Sequence, residues 1–345
     1  MTSRNLHTLL GFWPRCNHPL VYAHGVNDPT NAWHYTTSLG LISILSKHRL
    51  WATSAAFMND RDEIRAGRQA LQNAIRAHQP PLEKWQMDQL SRVGVNKVGN
   101  PHDLFLLCAA IEGDLLTLWR SYGGISEAEY AVDFDPSVQL FPIQQNDADA
   151  HPEPIPPGWG DDAIEFNDEG VPFRAYDPDG PYSFGGVWGK VEYLEPTSTA
   201  AEAELAEILR HLKKPTHNGR VMPFYLDYLA GPDPTTSFKH PGFKDEQEVR
   251  ATWTVGPWWR FVLYRAGRFG VTPYIEVGAS SRPDGLEERE SRNFIRPEHV
   301  DPLPIRSVRI GPTRAADAAK KSLRSLLDAS GYGHVKIEIS ETPYR

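Results

Sequence analysis

The alternation of apolar and polar positions divides the chain into short strands and short helices. Residues 32–36 (Ala-Trp-His-Tyr-Thr) are aromatic and β-branched and predict a strand. Apolar residues then fall at Leu41, Ile42, Leu45 and Leu50, close to a helical spacing. Thr36, Thr37 or Ser38 can cap that helix. Residues 50–53 predict a second short strand. Asn59-Asp60 is a turn and N-cap signal, with Asp62 and Glu63 in the first turn of a helix through Ile64, Ala70, Leu71 and Ile75. That helix stops near Pro80-Pro81, and another follows over 82–93.

The run over 103–110 is continuously apolar from Leu104 and predicts a buried strand. Residues 114–122 predict a short amphipathic helix with Leu115, Leu118, Trp119 and Tyr122 on one side, closed by Gly123-Gly124. A strand follows over 130–135. Pro, Asp, Gly and Asn then dominate 136–186, which reads as an irregular insertion without a core of its own. Strands are expected over 187–194, 261–265, 274–277, 305–310 and 334–339. Helices are expected over 200–212 and 315–327, and 221–229 is apolar enough for either. Strands and helices mixed in this order imply an α+β fold in a single domain spanning 1–345.

Composition narrows the function. With 44 acidic against 36 basic side chains, the net charge is −8, so no global basic field draws the chain to nucleic acid or an anionic membrane. The two cysteines, Cys16 and Cys108, stand far apart and in no metal-ligand spacing, which fits a reducing cytoplasm. No apolar run is long enough to span a bilayer. The apolar cluster 9–13 is ended by Pro14, so no signal peptide is expected.

Two stretches carry candidate chemistry. The first is His34-Tyr35-Thr36, delivered by a strand to the start of a helix, where free backbone N–H groups favour anions. The second runs from Phe238-Lys239 to Glu246-Gln247-Glu248-Val249-Arg250. In a strand, Glu248, Arg250 and Thr252 share one face, joined by Glu246 if the strand begins that early. Paired carboxylates suit chemistry with a positively charged transition state, although a Glu–Arg pair or a solvated charge cluster explains the same residues. The Trp119/Tyr122 stripe reads as core, or as a flat face for a nucleobase or nicotinamide ring. The P-loop, GxGxxG, HExxH and GxSxG patterns are absent.

Taken together, the order resembles a bacterial family catalogued as domain of unknown function 2971. The matching pieces are His34-Tyr35-Thr36, Asn59-Asp60 with Glu63, and Trp119 with Tyr122. Phe238-Lys239 with Glu246 to Arg250, Ile310-Gly311-Pro312 and Pro343-Tyr344-Arg345 complete them. More distantly, His34-Tyr35-Thr36 and the Glu246-Gln247-Glu248 element are similar to the ADP-ribosyltransferase superfamily. That resemblance implies a mixed split β-sheet with surrounding helices, and NAD as the molecule consumed. It implies that His34, with Tyr35 and Thr36 beside it, contacts the NAD ribose. Tyr122, or else Tyr35 or Trp119, would stack on nicotinamide. Glu248 would be the catalytic glutamate and Glu246 would position or deprotonate the acceptor. Where the superfamily carries Ser-Thr-Ser, this chain has Cys108-Ala109-Ala110.

The implied function is an NAD-dependent ADP-ribosyltransferase, of the kind that serves as a toxin or phage-defence effector. Its acceptor would be a protein or nucleic acid, and a neutralising partner is compatible with it. Cleaving the nicotinamide bond builds positive charge on the ribose, which a fixed carboxylate stabilises. The alternatives on the same fold are a non-catalytic nucleotide-sensing or protein-interaction module and a nucleic-acid-modifying transferase. The last needs a basic stripe, for which Lys239, Lys244, Arg250, Arg260, Arg265 and Arg268 are the candidates.

Overall fold

Of the three residues able to cap the first helix, Thr37 does so: its Oγ1 accepts from the Gly40 N–H at 3.2 Å. It closes strand β1 (Ala32–Thr37) and opens helix α1 (Ser38–Lys47). Thr37→Ala removes that cap and is expected to lower stability by about 1 kcal/mol, read from the thermal midpoint. Inside, α1 buries Leu41, Ile44 and Leu45, whereas Ile42, expected inward, is 47% exposed.

The computed structural model describes residues 29–58, 62–92, 104–122, 129–145, 164–166, 172–174, 182–194, 199–212, 234–256, 258–281 and 294–343. The expected cap at Asn59-Asp60, the Gly123-Gly124 stop, the 221–229 segment and the terminal Tyr344-Arg345 lie outside them. After α1 come β2 (Leu50–Ser54), α2 (Asp62–Ala77), α3 (Lys84–Arg92), β3 (Leu104–Ala110), α4 (Leu116–Tyr122) and β4 (Glu129–Phe134). Next are β5 (Phe141–Pro142), β6 (Ile164–Phe166), β7 (Pro172–Arg174), β8 (Tyr182–Lys190), β9 (Glu192–Tyr193) and α5 (Ala200–His211). The chain continues through β10 (Phe238–Lys239), β11 (Glu248–Gly256), β12 (Val262–Gly267) and β13 (Gly270–Gly278). It closes with β14 (Ile305–Ile310), α6 (Ala316–Ala329) and β15 (Lys336–Ile339).

The fold is α+β, with an open, mostly antiparallel sheet of eleven strands. Its main path runs β12-β13-β2-β3-β1-β4-β14-β15. Only the final pair, β14 with β15, is parallel within it. Strand β3 holds the middle. Along one edge it pairs with β11 from Leu104 to Ala110. Its other edge is shared: β2 takes Phe105 and Leu106, and β1 takes Ala110 alone.

The two faces of the centre are covered differently. On one, α1 and α6 pack Leu41, Ile44, Leu45, Leu323 and Leu327 against Val132, Ala109 and Val249. On the other, α4 brings Leu118 and Trp119 onto Trp33, Tyr35, Ala110 and Ala131. A separate cluster joins α2, α3 and α5 with Phe238 of β10.

The expectation of an irregular insertion over 136–186 needs correcting at both ends. Leu140 and Ile143 are fully buried, because residues 139–145 run along β13 and under β8. Residues 182–186 belong to β8, which pairs with β11. The strand expected over 187–194 is broken at Val191 into β8 and β9, and β9 pairs instead with β10. That switch brings β10, and Lys239 with it, over the start of β11. No helix among the described residues is long and apolar enough to cross a membrane.

Candidate functional site

Glu248 is the first residue of β11 and is only 5% exposed. Two residues on, and therefore on the same face, Arg250 holds its carboxylate bidentately, Nε to Oε1 at 2.6 Å and Nη2 to Oε2 at 2.9 Å. Lys239 Nζ donates to the same Oε2 at 2.7 Å. The Glu248 N–H donates to the Tyr193 hydroxyl at 3.0 Å. Burial alone would raise the Glu248 carboxyl. Arg250 and then Lys239 outweigh it and hold the group at about 2, with the Cys108 thiol as a further donor. Cys108 in turn is pushed well up, by burial first and by the Glu248 charge second, so it stays a neutral thiol.

Glu246 is not in the strand. It ends a 3-10 helix, Pro241–Glu246, and Gln247 follows in the left-handed conformation, φ 45°. The sequence pattern puts Glu246 on the Glu248 face only if the strand begins that early. The reversal at Gln247 reaches the same convergence by another route, because Glu246 Oε2 accepts from Lys239 Nζ at 2.7 Å. Lys239 also lies 4.7 Å from the centre of the Phe243 ring. Lys239 and Arg250 together balance Glu246 and Glu248, so this cluster is neutral as a whole. In the sequence Lys239 reads as part of the Phe238-Lys239 piece of the resemblance and as a member of a basic stripe. Its role as the bridge between the carboxylates depends on the β9–β10 pairing.

His34 lies near this cluster along the sheet, but its side chain starts from the other face. Trp33 stands directly opposite Ala110, and Ala110 opposite Glu248. Directly opposed residues share a face, so Trp33, Ala110 and Glu248 are together and His34, one residue on, is not. The burial pattern agrees, since the partner of His34 on β4 is Val132, in the core under α1. Where β1 leaves β3, the imidazole fills the gap, its Nδ1 3.0 Å from the Cys108 carbonyl. Burial lowers its pKa, an effect that the carbonyl partly offsets, so the ring is neutral at neutral pH.

Tyr35 does share the Glu248 face, but its ring and hydroxyl are committed. The hydroxyl donates to the Glu112 carbonyl at 3.0 Å and accepts from the Leu115 N–H at 2.9 Å. Its ring meets Trp119 edge-on, with centroids 4.6 Å apart. Trp119 is 6% exposed, and its indole N–H donates to Asp114 at 2.8 Å. Asp114 is also bonded by Ser340, Glu341 and Thr342, so the chain's last described residues are tied over α4. A Cβ on Gly311 would stand 3.0 Å from the Trp119 ring, which accounts for the glycine in Ile310-Gly311-Pro312. Trp119 and Tyr35 are thus packed as core, which for Trp119 is the plainer of the two readings. Thr36 pairs with Tyr130 in the β1–β4 ladder. The side chains of Tyr122 and Glu63 lie outside the described residues.

Lys239 and Arg250 are buried in ion pairs, whereas Arg265 and Arg268 lie on β12 and in the turn after it. The six basic candidates therefore do not form one stripe. Among the described residues, no group of three His, Cys, Asp or Glu side chains could hold a metal ion. No protein-family model, no curated protein and no solved structure matches this chain.

Proposed function

We propose that this chain is an NAD-dependent ADP-ribosyltransferase of the kind the Glu246-Gln247-Glu248 element resembles, with NAD as substrate and Glu248 as its catalytic carboxylate. The observation that carries the reading is the state of Glu248. It is buried, ionised at any physiological pH, and joined through Lys239 to a second carboxylate two residues before it. A carboxylate held charged in a low-dielectric site stabilises positive charge developing on a ribose as nicotinamide leaves. Glu246, half-buried, takes the role of orienting the acceptor in this reading.

The remaining residues fit NAD only in part. His34 starts from the opposite face, and Tyr35 and Trp119 are packed against each other. The charge of Glu248 is also balanced by Arg250 and Lys239. In this reading the folded chain is latent, and turnover requires a ligand or acceptor that draws Lys239 away from Oε2. The same balance favours a second reading, a non-catalytic nucleotide-sensing or protein-interaction module in which the cluster serves structure alone.

Nicotinamide release from NAD by the purified protein, with and without candidate acceptors, separates them when Glu248→Gln is assayed alongside. The expected result is release by the parent and a loss of about a hundred-fold or more in a Glu248→Gln protein that still melts cooperatively. NAD binding without release supports the sensing module. Absence of both binding and release overturns the transferase and the nucleotide-sensing readings and leaves the protein-interaction module.

A further inference from the structure

A single buried hydroxyl joins the end of α1 to the turn between α6 and β15. His48, the residue after α1, stands in the left-handed conformation at φ 54°, a position that glycine or asparagine ordinarily fills. Its ring is held from the other side: Nδ1 lies 2.8 Å from the Tyr332 hydroxyl, with the ring centres 5.4 Å apart. Tyr332 is fully buried, and its hydroxyl also accepts from the Leu303 N–H, just before β14, at 2.9 Å. Three parts of the chain, far apart in sequence, therefore meet at one oxygen.

The direction of the His48–Tyr332 bond follows from counting protons. A phenol has one proton to give. Burial pushes the Tyr332 phenol up to about 12, so that proton is present at any physiological pH. Leu303 donates to the oxygen, and among the described residues only His48 Nδ1 is placed to take the phenolic proton. His48 is thus neutral, with its own proton on Nε2. A proton on Nδ1 would set two donors against the hydroxyl oxygen and leave the phenolic proton buried without an acceptor. Acid therefore cannot charge His48 while this joint is closed.

The charged neighbours leave that balance to the hydrogen bond. Lys47 and Arg49 flank His48 in the chain, and Arg49 is paired with Glu276 of β13. Across the joint His334 is exposed, its ring centre 6.4 Å from that of Tyr332. Asp328 of α6 pairs with Arg324. Before β14, Asp301 accepts from the Ser281 N–H, and Glu298 and His299 are exposed. Burial alone lowers the His48 pKa. We propose that His48, Tyr332 and Leu303 form an acid-sensitive clamp: in mildly acidic solution His48 takes a proton only by releasing the hydroxyl, which frees the turn at 330–335 and the end of α1 while the sheet stays folded. This local opening comes before the loss of the Glu248 cluster, whose carboxyl is held at about 2. The proposal is independent of the transferase reading.

Hydrogen exchange of the full chain, read by mass spectrometry at pH 7.5 and pH 5.5 and corrected for the intrinsic rate, tests it. One pH unit below the ordinary histidine value of 6.5, a ring that is protonated only when open favours opening by about ten-fold. Exchange over 330–335 and 43–49 is expected to rise by that factor, with 104–110 in β3 unchanged. His48→Gln, whose amide oxygen accepts the phenolic proton at either pH, is expected to hold the rise below about two-fold. His334→Gln should leave it as in the parent. Side-chain nitrogen NMR should place the proton on Nε2 at pH 7.5, in the resonance that His48→Gln removes. A proton on Nδ1, no rise in the parent, or an equal rise in His48→Gln overturns the proposal. So does a rise that extends to β3, which makes the response global, or one that His334→Gln abolishes, which moves it to His334. The parent's pH response and the His334→Gln control stand even if His48→Gln fails to fold.

Discussion

Arg250→Met is expected to destabilise the fold by about 3–5 kcal/mol in chemical denaturation, the cost of leaving a buried carboxylate without its main partner. Arg250 is 3% exposed and supplies two of the three strong donors to Glu248. Its Nη1 also holds the Thr236 carbonyl at 3.0 Å, which fixes the segment leading into β10. The double variant Glu248→Gln, Arg250→Met should cost less than the two single changes summed, because removing the anion removes the reason the cation is needed. Additivity would show that the two groups do not act on each other.

The same cluster sets the acid limit of the fold. The Glu248 carboxyl is depressed to about 2 from an ordinary 4.5. Its contribution is therefore fully present above pH 4.5 and drains as the pH falls toward 2, by about 3 kcal/mol in all. His34, kept neutral by burial, works in the same direction from its ordinary value of 6.5 downward. Asp133 opposes them weakly, since burial outweighs Arg306 and raises its carboxyl. Denaturation midpoints between pH 7 and pH 3 should fall in the parent and fall less in Glu248→Gln.

Gly185→Ala is expected to cost more than about 3 kcal/mol, from two independent causes. Gly185 lies at φ 113°, where an L side chain is strained. A Cβ there would stand 1.8 Å from the Thr252 carbonyl oxygen. That oxygen is backbone in the central strand β11, so it cannot move aside as a flexible side chain could. The site is where the β8–β11 register slips between Ala251 and Trp253. Gly186, at φ 95°, completes the slip, with the Leu140 carbonyl over it. The slip also leaves room for Trp253, whose indole N–H donates to that carbonyl at 3.1 Å. A Gly185→Ala protein with the parent denaturation midpoint would mean that the bulge can shift.

Local physics made much of this fold legible in the sequence. Strand β3 declares itself because a strand covered on both faces needs apolar residues at every position, as Leu104 to Ala110 provide. The turn from β1 into α1 declares itself because a hydroxyl at the N-cap accepts from the backbone N–H three residues on, and Thr37 does. The convergence of Glu248 and Arg250 follows from the two-residue period of a strand alone. What the sequence left open depends on partners far along the chain. Lys239 becomes the bridge between Glu246 and Glu248 only because β9 pairs with β10, and no local pattern encodes that pairing. His34 and Glu248 look like one site when listed in order. The pairing of Trp33 with Ala110 and of Ala110 with Glu248 gives them opposite faces, since a single residue of register reverses every side chain. Composition marks 136–186 as irregular, yet burial is decided by what lies alongside, and Leu140 and Ile143 are drawn into the core by β8 and β13. Sequence alone thus determined most of the longer elements and the residue types each one carries. Tertiary structure decided which of those residues meet, because strand register and long-range pairing are set by the packing of the whole sheet.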